Sequence, residues 1–250
     1  MTQVNGKVIV DVIDVTMVYN AKNRDTSTHV HALRGLTVQV YENEFFAIMG
    51  PSGSGKSTLF NQIGALQSPT SGKVLIDGVD LASLSPAKMA AVRCFELGYI
   101  FQTYNLLPVM SALMNVSLPT IFAGMSTEEG ETRALECLDI VGLKDRAHHL
   151  PSELSGGQQQ RVAIARAFVN QPRIILADEP TGNLDSGTGQ SIIDFMKTLQ
   201  QEMGATIIVV THDDKMLSAC DRMAWIRDGA LERVANREDI DIRMGSIKEH

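Results

Sequence analysis

A chain of 250 residues with 44% hydrophobic and 20% charged side chains can bury a large core and is too apolar to stay disordered. Its formal net charge of −7, with no basic block, argues against broad nucleic-acid binding, which needs many Lys and Arg contacts to phosphate. Apolar runs such as residues 8–10 and 207–210 fall far short of a bilayer span, and the opening Met-Thr-Gln-Val-Asn-Gly carries no export pattern, so a cytoplasmic location is expected.

In chain order, Val8, Val10, Val12 and Val15 alternate as strands do, and further strand patterns follow at residues 36–40 and 45–49, forming a small β layer. The polar stretch 21–30 reads as a surface loop. A glycine-rich turn after Met49 leads into a helical pattern over residues 56–66. The apolar runs 97–101, 174–177 and 207–211 each precede a loop or helix, and strands interleaved with helices imply a mainly parallel sheet covered on both faces. Residues 86–154 are mainly helical in pattern, around 110–122 and 126–141, and read as a helical subdomain inserted into the α/β core. The charged tail from Arg237 is expected to fray. Cys94, Cys137 and Cys220 form no Cys-x-x-Cys pair and are expected to be buried reduced thiols. His29, His31, His148, His149 and His250 stand in polar surroundings and read as surface residues.

Gly50-Pro51-Ser52-Gly53-Ser54-Gly55-Lys56-Ser57 matches G-x-x-x-x-G-K-[ST] between an apolar strand and a helix, with Thr58 continuing into that helix. Glycines let the backbone wrap a phosphate closely, and the helix N-terminus adds about half a positive charge facing the anion. Lys56 is expected to bridge the β- and γ-phosphates, and Ser57 to offer its hydroxyl to Mg²⁺. The metal also needs a carboxylate, which the run Ile174-Ile175-Leu176-Ala177-Asp178-Glu179 supplies at the end of a buried strand. Alternation along a strand sends adjacent side chains different ways, so Asp178 is expected to hold the metal and Glu179 to orient the attacking water.

Leu154-Ser155-Gly156-Gly157-Gln158, just before a helix-forming stretch, resembles the signature of ATP-binding-cassette (ABC) ATPases, and the likeness covers nearly the whole chain. The family implies a P-loop NTPase fold of the ABC type: a mainly parallel core sheet, an N-terminal antiparallel β layer and a helical subdomain over about residues 86–165, within one nucleotide-binding domain of 1–250. It also implies that the signature closes on ATP held by the phosphate loop of a second copy, in a head-to-tail dimer. On the same resemblance, Gln102 is the Q-loop glutamine that contacts Mg²⁺ and water, and His212 is the switch histidine that hydrogen-bonds the γ-phosphate. Asp185 is the aspartate linking the two sites, and Tyr19 the aromatic on which adenine stacks.

The run Leu176-Ala177-Asp178-Glu179-Pro180-Thr181-Gly182-Asn183-Leu184-Asp185 resembles the lipoprotein-releasing and macrolide-exporter branch, as does Pro151-Ser152-Glu153. That branch implies a peripheral place on the cytoplasmic face of the membrane, beside a permease with four membrane helices and a large extracytoplasmic domain. It further implies that dimer closure drives export, lipoprotein release or mechanical transmission. Tyr104, Leu106, Leu107 and Pro108 would line the groove for a coupling helix of that permease. A regulatory ATPase of a cell-division type, moving no solute, stays open as an alternative. A soluble ABC protein of DNA repair is disfavoured, because the interval between Lys56 and Leu154 is short and lacks heptads.

Overall fold

The architecture starts from a long antiparallel pair. In the computed structural model, which describes residues 6–21, 25–240, 242–243 and 246–247, β1 (Val8–Tyr19) and β2 (Val30–Tyr41) run antiparallel with Val10 opposite Val40 and Val12 opposite Val38. Val10, Val12, Val15 and Leu36 are buried, as their alternation requires. His250 and residues 22–24 of the polar loop lie outside the described residues, while Thr26–Thr28 forms a short 3-10 turn.

β3 (Phe45–Met49) is buried at every position, the pattern of a strand covered on both faces. The helix α1 (Lys56–Ile63) follows and stops at Gly64, shorter than the pattern predicts, because Ala65 turns left-handed at φ 52°. Next come β4 (Ser71–Ile76), β5 (Val79–Asp80) and α2 (Pro86–Phe95). The β4–β5 hairpin joins the first pair in the order β2-β1-β4-β5, so the antiparallel layer is larger than its N-terminal alternation suggests.

β6 (Leu97–Phe101) leads to α3 (Ala112–Phe122) and α4 (Thr127–Ile140), then to α5 (Gly156–Phe168) and β7 (Ile174–Asp178). Ser111 caps α3, and Ser126 with Glu129 closes a capping box on α4, which fixes both starts. Val116, Leu138, Val162 and Val169 share one apolar core between these helices, each such side chain contributing about 1.5–3 kcal/mol relative to exposure. β6 and β7 pair in parallel, with Leu97 opposite Ile174 and Phe101 opposite Asp178.

α6 (Ser186–Met203) and β8 (Thr206–Thr211) complete the middle of the chain, and β9 (Arg222–Arg227) pairs in parallel with β3 and antiparallel with β10 (Ala230–Asn236). Where a frayed tail is expected from Arg237, Arg237–Asp239 forms a 3-10 turn, and a short ladder joins Ile242–Arg243 to Ser246–Ile247. Two compact units divide the chain, Met1–Met89 with Ile208–His250, and Ala90–Ile207. Cys137 and Cys220 are buried free thiols, but Cys94 is only half-buried, since α2 buries none of its residues fully. Among the described residues, no helix is long and apolar enough to cross a membrane.

Candidate functional site

In the first unit, the loop between β3 and α1 takes the shape of an anion cradle. Gly55 is the N-cap of α1 at φ 105° and offers no side chain to cap it, so a bound anion can take up the amides of the first helical turn. A Cβ at Gly55 would meet the Ala32 carbonyl at 2.5 Å, and one at Gly50 would meet the Ile226 carbonyl at 2.1 Å. Both positions therefore demand glycine. Lys56, 8% exposed, donates from Nζ to the carbonyls of Gly50 at 2.8 Å and Pro51 at 2.9 Å. Its ammonium is thus fixed over the loop. Ser54 Oγ is buried there without a partner among the described residues, while Pro51, Ser52, Gly53 and Ser57 are exposed and Thr58 is half-buried.

Tyr19 ends β1 half-buried, donates to Gln67 Oε1 at 3.1 Å, and lies 3.3 Å from Thr58 Oγ1. Its phenol thus ties the first strand to the phosphate-loop helix, a contact its sequence position does not announce. His212 follows directly after β8 and is exposed. The Thr211 hydroxyl accepts from the Asp213 N–H at 2.9 Å, and Asp213 caps the next 3-10 turn, which shapes the histidine's turn.

The second unit carries the carboxylates and the signature. Asp178 is the last residue of β7, but Glu179 lies beyond the strand at φ 47°. Strand alternation therefore does not separate the two side chains, as the sequence suggests; a left-handed backbone does, at a cost of about 1–3 kcal/mol for a non-glycine residue. The Gly182 N–H donates to the Glu179 carbonyl at 3.0 Å and closes the turn. Asp185 is the N-cap of α6 and accepts from Gly187 and Thr188 at 3.1 and 3.0 Å. Hydrogen bonds from Thr188, side chain first, hold its carboxyl below the ordinary aspartate range.

Ser155 caps α5 in a reciprocal box: its hydroxyl oxygen accepts from the Gln158 N–H at 3.3 Å, and Gln158 Oε1 accepts from the Ser155 N–H at 2.9 Å. Accepting leaves the hydroxyl hydrogen to donate to an anion. Gly156 and Gly157 form the first turn, where a Cβ at Gly156 would come 3.1 Å from the Tyr104 hydroxyl and one at Gly157 would lie 2.6 Å from Thr188 Cγ2.

Gln102 follows β6 and begins a loop whose supports lie far from it in sequence. Asn183 Nδ2 donates to the Gln102 carbonyl at 2.8 Å, and a Cβ on Gly182 would sit 2.7 Å from Gln102 Nε2. Tyr104 and Asn105 are both left-handed, at φ 60° and 49°, and both carbonyls accept from the Arg166 guanidinium, at 2.7 and 2.6 Å. Farther along, the buried Asn115 accepts from the Leu107 N–H and donates to the carbonyls of Leu107, Met110 and Ser111. Leu106 packs against the helical core, whereas Leu107 and Val109 are exposed at 40% and 84%. Leu106 is thus partly buried against the helical core.

These features fit a nucleoside triphosphate: a glycine cradle, an orphaned buried hydroxyl at Ser54 and a fixed ammonium at Lys56. Ser57, Gln102 and Asp178 are hard oxygen donors of the kind Mg²⁺ takes. Among the described residues there is no group of three or more His, Cys, Asp or Glu side chains that could hold a metal ion.

Phosphate loop, acidic strand end and capped signature helix define an ABC-type ATPase, and residues 33–182 match the family described as ABC transporter. The chain belongs to the ABC transporter ATP-binding family and is an ATPase subunit of that kind. It is 48% identical over 231 residues to an uncharacterized ABC transporter ATP-binding protein of Thermotoga maritima, covering 92% of this chain and 97% of that one. The lipoprotein-releasing system ATP-binding protein LolD of Shewanella frigidimarina is 45% identical over 84% of this chain and 88% of its own. The macrolide export ATP-binding/permease protein MacB of Brucella melitensis is also 45% identical, over 88% of this chain but 34% of its own, so the chain spans about a third of that protein. Among solved structures, the dimeric cassette MJ0796 of Methanocaldococcus jannaschii, bound to ADP and phosphate after hydrolysis, is similar with a TM-score of 0.82 and 45% identity, covering 92% of this chain and 99% of that one.

Proposed function

We propose that this chain powers a membrane permease of the lipoprotein-releasing or macrolide-exporter kind, by closing with a second copy of itself head-to-tail around ATP. The capped signature helix carries this reading, because Ser155, Gly156, Gly157 and Gln158 present a preformed anion site that a phosphate-loop ATPase acting alone does not need. The dimeric cassette MJ0796 and the names LolD and MacB among the relatives support it.

In this account Gly50 to Thr58 cradle the phosphates, Lys56 neutralises the β- and γ-phosphate charge, and Tyr19 stacks on adenine. Ser57, Asp178 and Gln102 would hold Mg²⁺, which would supply positive charge against the phosphates. Glu179 orients the attacking water and takes its proton, and His212 hydrogen-bonds the γ-phosphate. Asp185, at the start of α6, links the paired sites. We read the whole chain as one nucleotide-binding domain with a helical subdomain over about residues 86–165, peripheral to the cytoplasmic face of the membrane. Its permease partner would carry four spans and a large extracytoplasmic domain.

Purification of the chain from membranes together with its partner tests this reading. A partner with four spans and a large outer domain is expected; one with five or six spans and no such domain contradicts the branch.

A further inference from the structure

Gln102 is held by contacts that its proposed contact with Mg²⁺ and water does not explain. Its carbonyl accepts from Asn183 Nδ2 at 2.8 Å, and its side-chain amide lies so close over Gly182 that a Cβ there would be 2.7 Å from Nε2. The same short turn accepts no slack on its other side, because the Gly182 N–H is bonded to the Glu179 carbonyl at 3.0 Å. Residues 179–183 thus join the glutamate proposed as base to the glutamine proposed as metal contact.

The loop is also fixed downstream. Tyr104 and Asn105 stand in consecutive left-handed conformations, which side chains disfavour. Arg166, projecting from the last turn of the signature helix, donates one guanidinium arm to each of their carbonyls, at 2.7 and 2.6 Å. A planar fork suits two neighbouring carbonyls as an ammonium cannot. The Tyr104 N–H returns to the Phe101 carbonyl at 3.0 Å, so Gln102 sits inside a turn tethered at both ends.

We infer that Asn183 and Arg166 are positioning residues for Gln102, fixing its amide relative to Glu179 and joining the loop to the signature helix. The inference rests on the reading of Gln102 as a contact to metal and water. Neither residue touches substrate in this role; each acts through the main chain of residues 102–105.

Steady-state ATP hydrolysis by the full chain at varied Mg-ATP tests it, with Gln102→Ala, Asn183→Ala, Arg166→Lys and the doubles on Gln102→Ala. Asn183→Ala is expected to lower kcat about tenfold with KM for ATP changed less than about twofold, the split of a lost transition-state contact. In the Gln102→Ala background the same change should cost less than about twofold more, because residues acting through one group are not additive. Arg166→Lys should behave as Asn183→Ala does, since it keeps the charge and loses the fork. Arg166 is half-buried, so Asn183→Ala, at an exposed side chain, decides the matter if the Arg166 variant does not fold. Should Gln102→Ala lower kcat while Asn183→Ala is silent or fully additive with it, the positioning role is wrong and the role of Gln102 stands. If Gln102→Ala itself leaves kcat unchanged, the reading of Gln102 fails and the inference falls with it.

Discussion

Ser155 and Gln158 exchange hydrogen bonds across the first turn of the signature helix: the Gln158 N–H donates to the Ser155 hydroxyl oxygen at 3.3 Å, and the Ser155 N–H donates to the Gln158 amide oxygen at 2.9 Å. The serine caps α5 and keeps its hydroxyl hydrogen free to donate, which in the proposed account goes to an anion. Aspartate caps as well as serine does but brings a negative charge to that anion site. Ser155→Asp should keep the melting temperature within about 2 °C while ATP-driven pairing and turnover are lost. Ser155→Ala should lower stability by about 1 kcal/mol. Thermal unfolding and ATPase assays on both variants check this, and retained turnover in Ser155→Asp would contradict the anion role.

Leu107 offers a direct test of permease docking. Its side chain is 40% exposed while its backbone is pinned by Asn115, so the side chain can change without releasing the loop. Leu107→Asp is expected to abolish co-purification with the permease and leave the dissociation constant for ATP within about twofold, as surface substitutions do. Loss of both together would count against a groove at this place.

Much of this site is legible in the linear sequence, and the reason is local. In the proposed account the phosphate loop, Asp178 and the signature act through backbone and side chains within a few residues, so their spacing announces the chemistry. Arg166 and Asn183 are different: Arg166 serves carbonyls at positions 104 and 105, and Asn183 serves the carbonyl of Gln102, partners that they meet only after folding. The left-handed turn at Glu179 is equally silent: Pro180 marks the end of the strand, but a residue before proline ordinarily stays extended, and nothing in Asp-Glu-Pro announces a φ of 47°. In the fold, the hairpin starting at Ser71–Ile76 escaped because Ser-Gly-Lys interrupts alternation where the strand is exposed.

Glu44 links pH to stability. It is 5% exposed, accepts from the Tyr41 N–H at 2.7 Å, and pairs with Arg222 at 3.0 Å. Burial pushes its carboxyl above the usual glutamate value, with Asp221 adding in the same direction, against the opposing pull of the Tyr41 N–H and Arg222. A raised folded-state value means the stability from this group is complete below the unfolded value of about 4.3 and is lost as pH rises through the higher folded one. Urea unfolding of the wild type and Glu44→Gln from pH 4 to pH 7 should therefore show the wild type losing ground to the variant as pH increases. A wild type that gains on the variant over that range would mean Arg222 outweighs burial.

Gln160, on the buried side of the signature helix, is fully enclosed, and neither Nε2 nor Oε1 finds a partner among the described residues. An enclosed amide without partners costs about 1–3 kcal/mol. Methionine has similar length and helix propensity, so Gln160→Met isolates that cost. A stability gain of about 1 kcal/mol, or about 2–4 °C in melting temperature, is expected from calorimetry. A clear loss would show that the amide is satisfied in solution.

Pairing around nucleotide is the central claim, and Glu179→Gln tests it most directly. The substitution keeps the size of the side chain and removes the base, so ATP should bind and persist. Size-exclusion chromatography with light scattering, run with saturating Mg-ATP, is predicted to give a stable species of twice the 27.3 kDa chain mass and almost no phosphate release. A strictly monomeric Glu179→Gln protein under those conditions, or one hydrolysing ATP at the wild-type rate, would contradict the account.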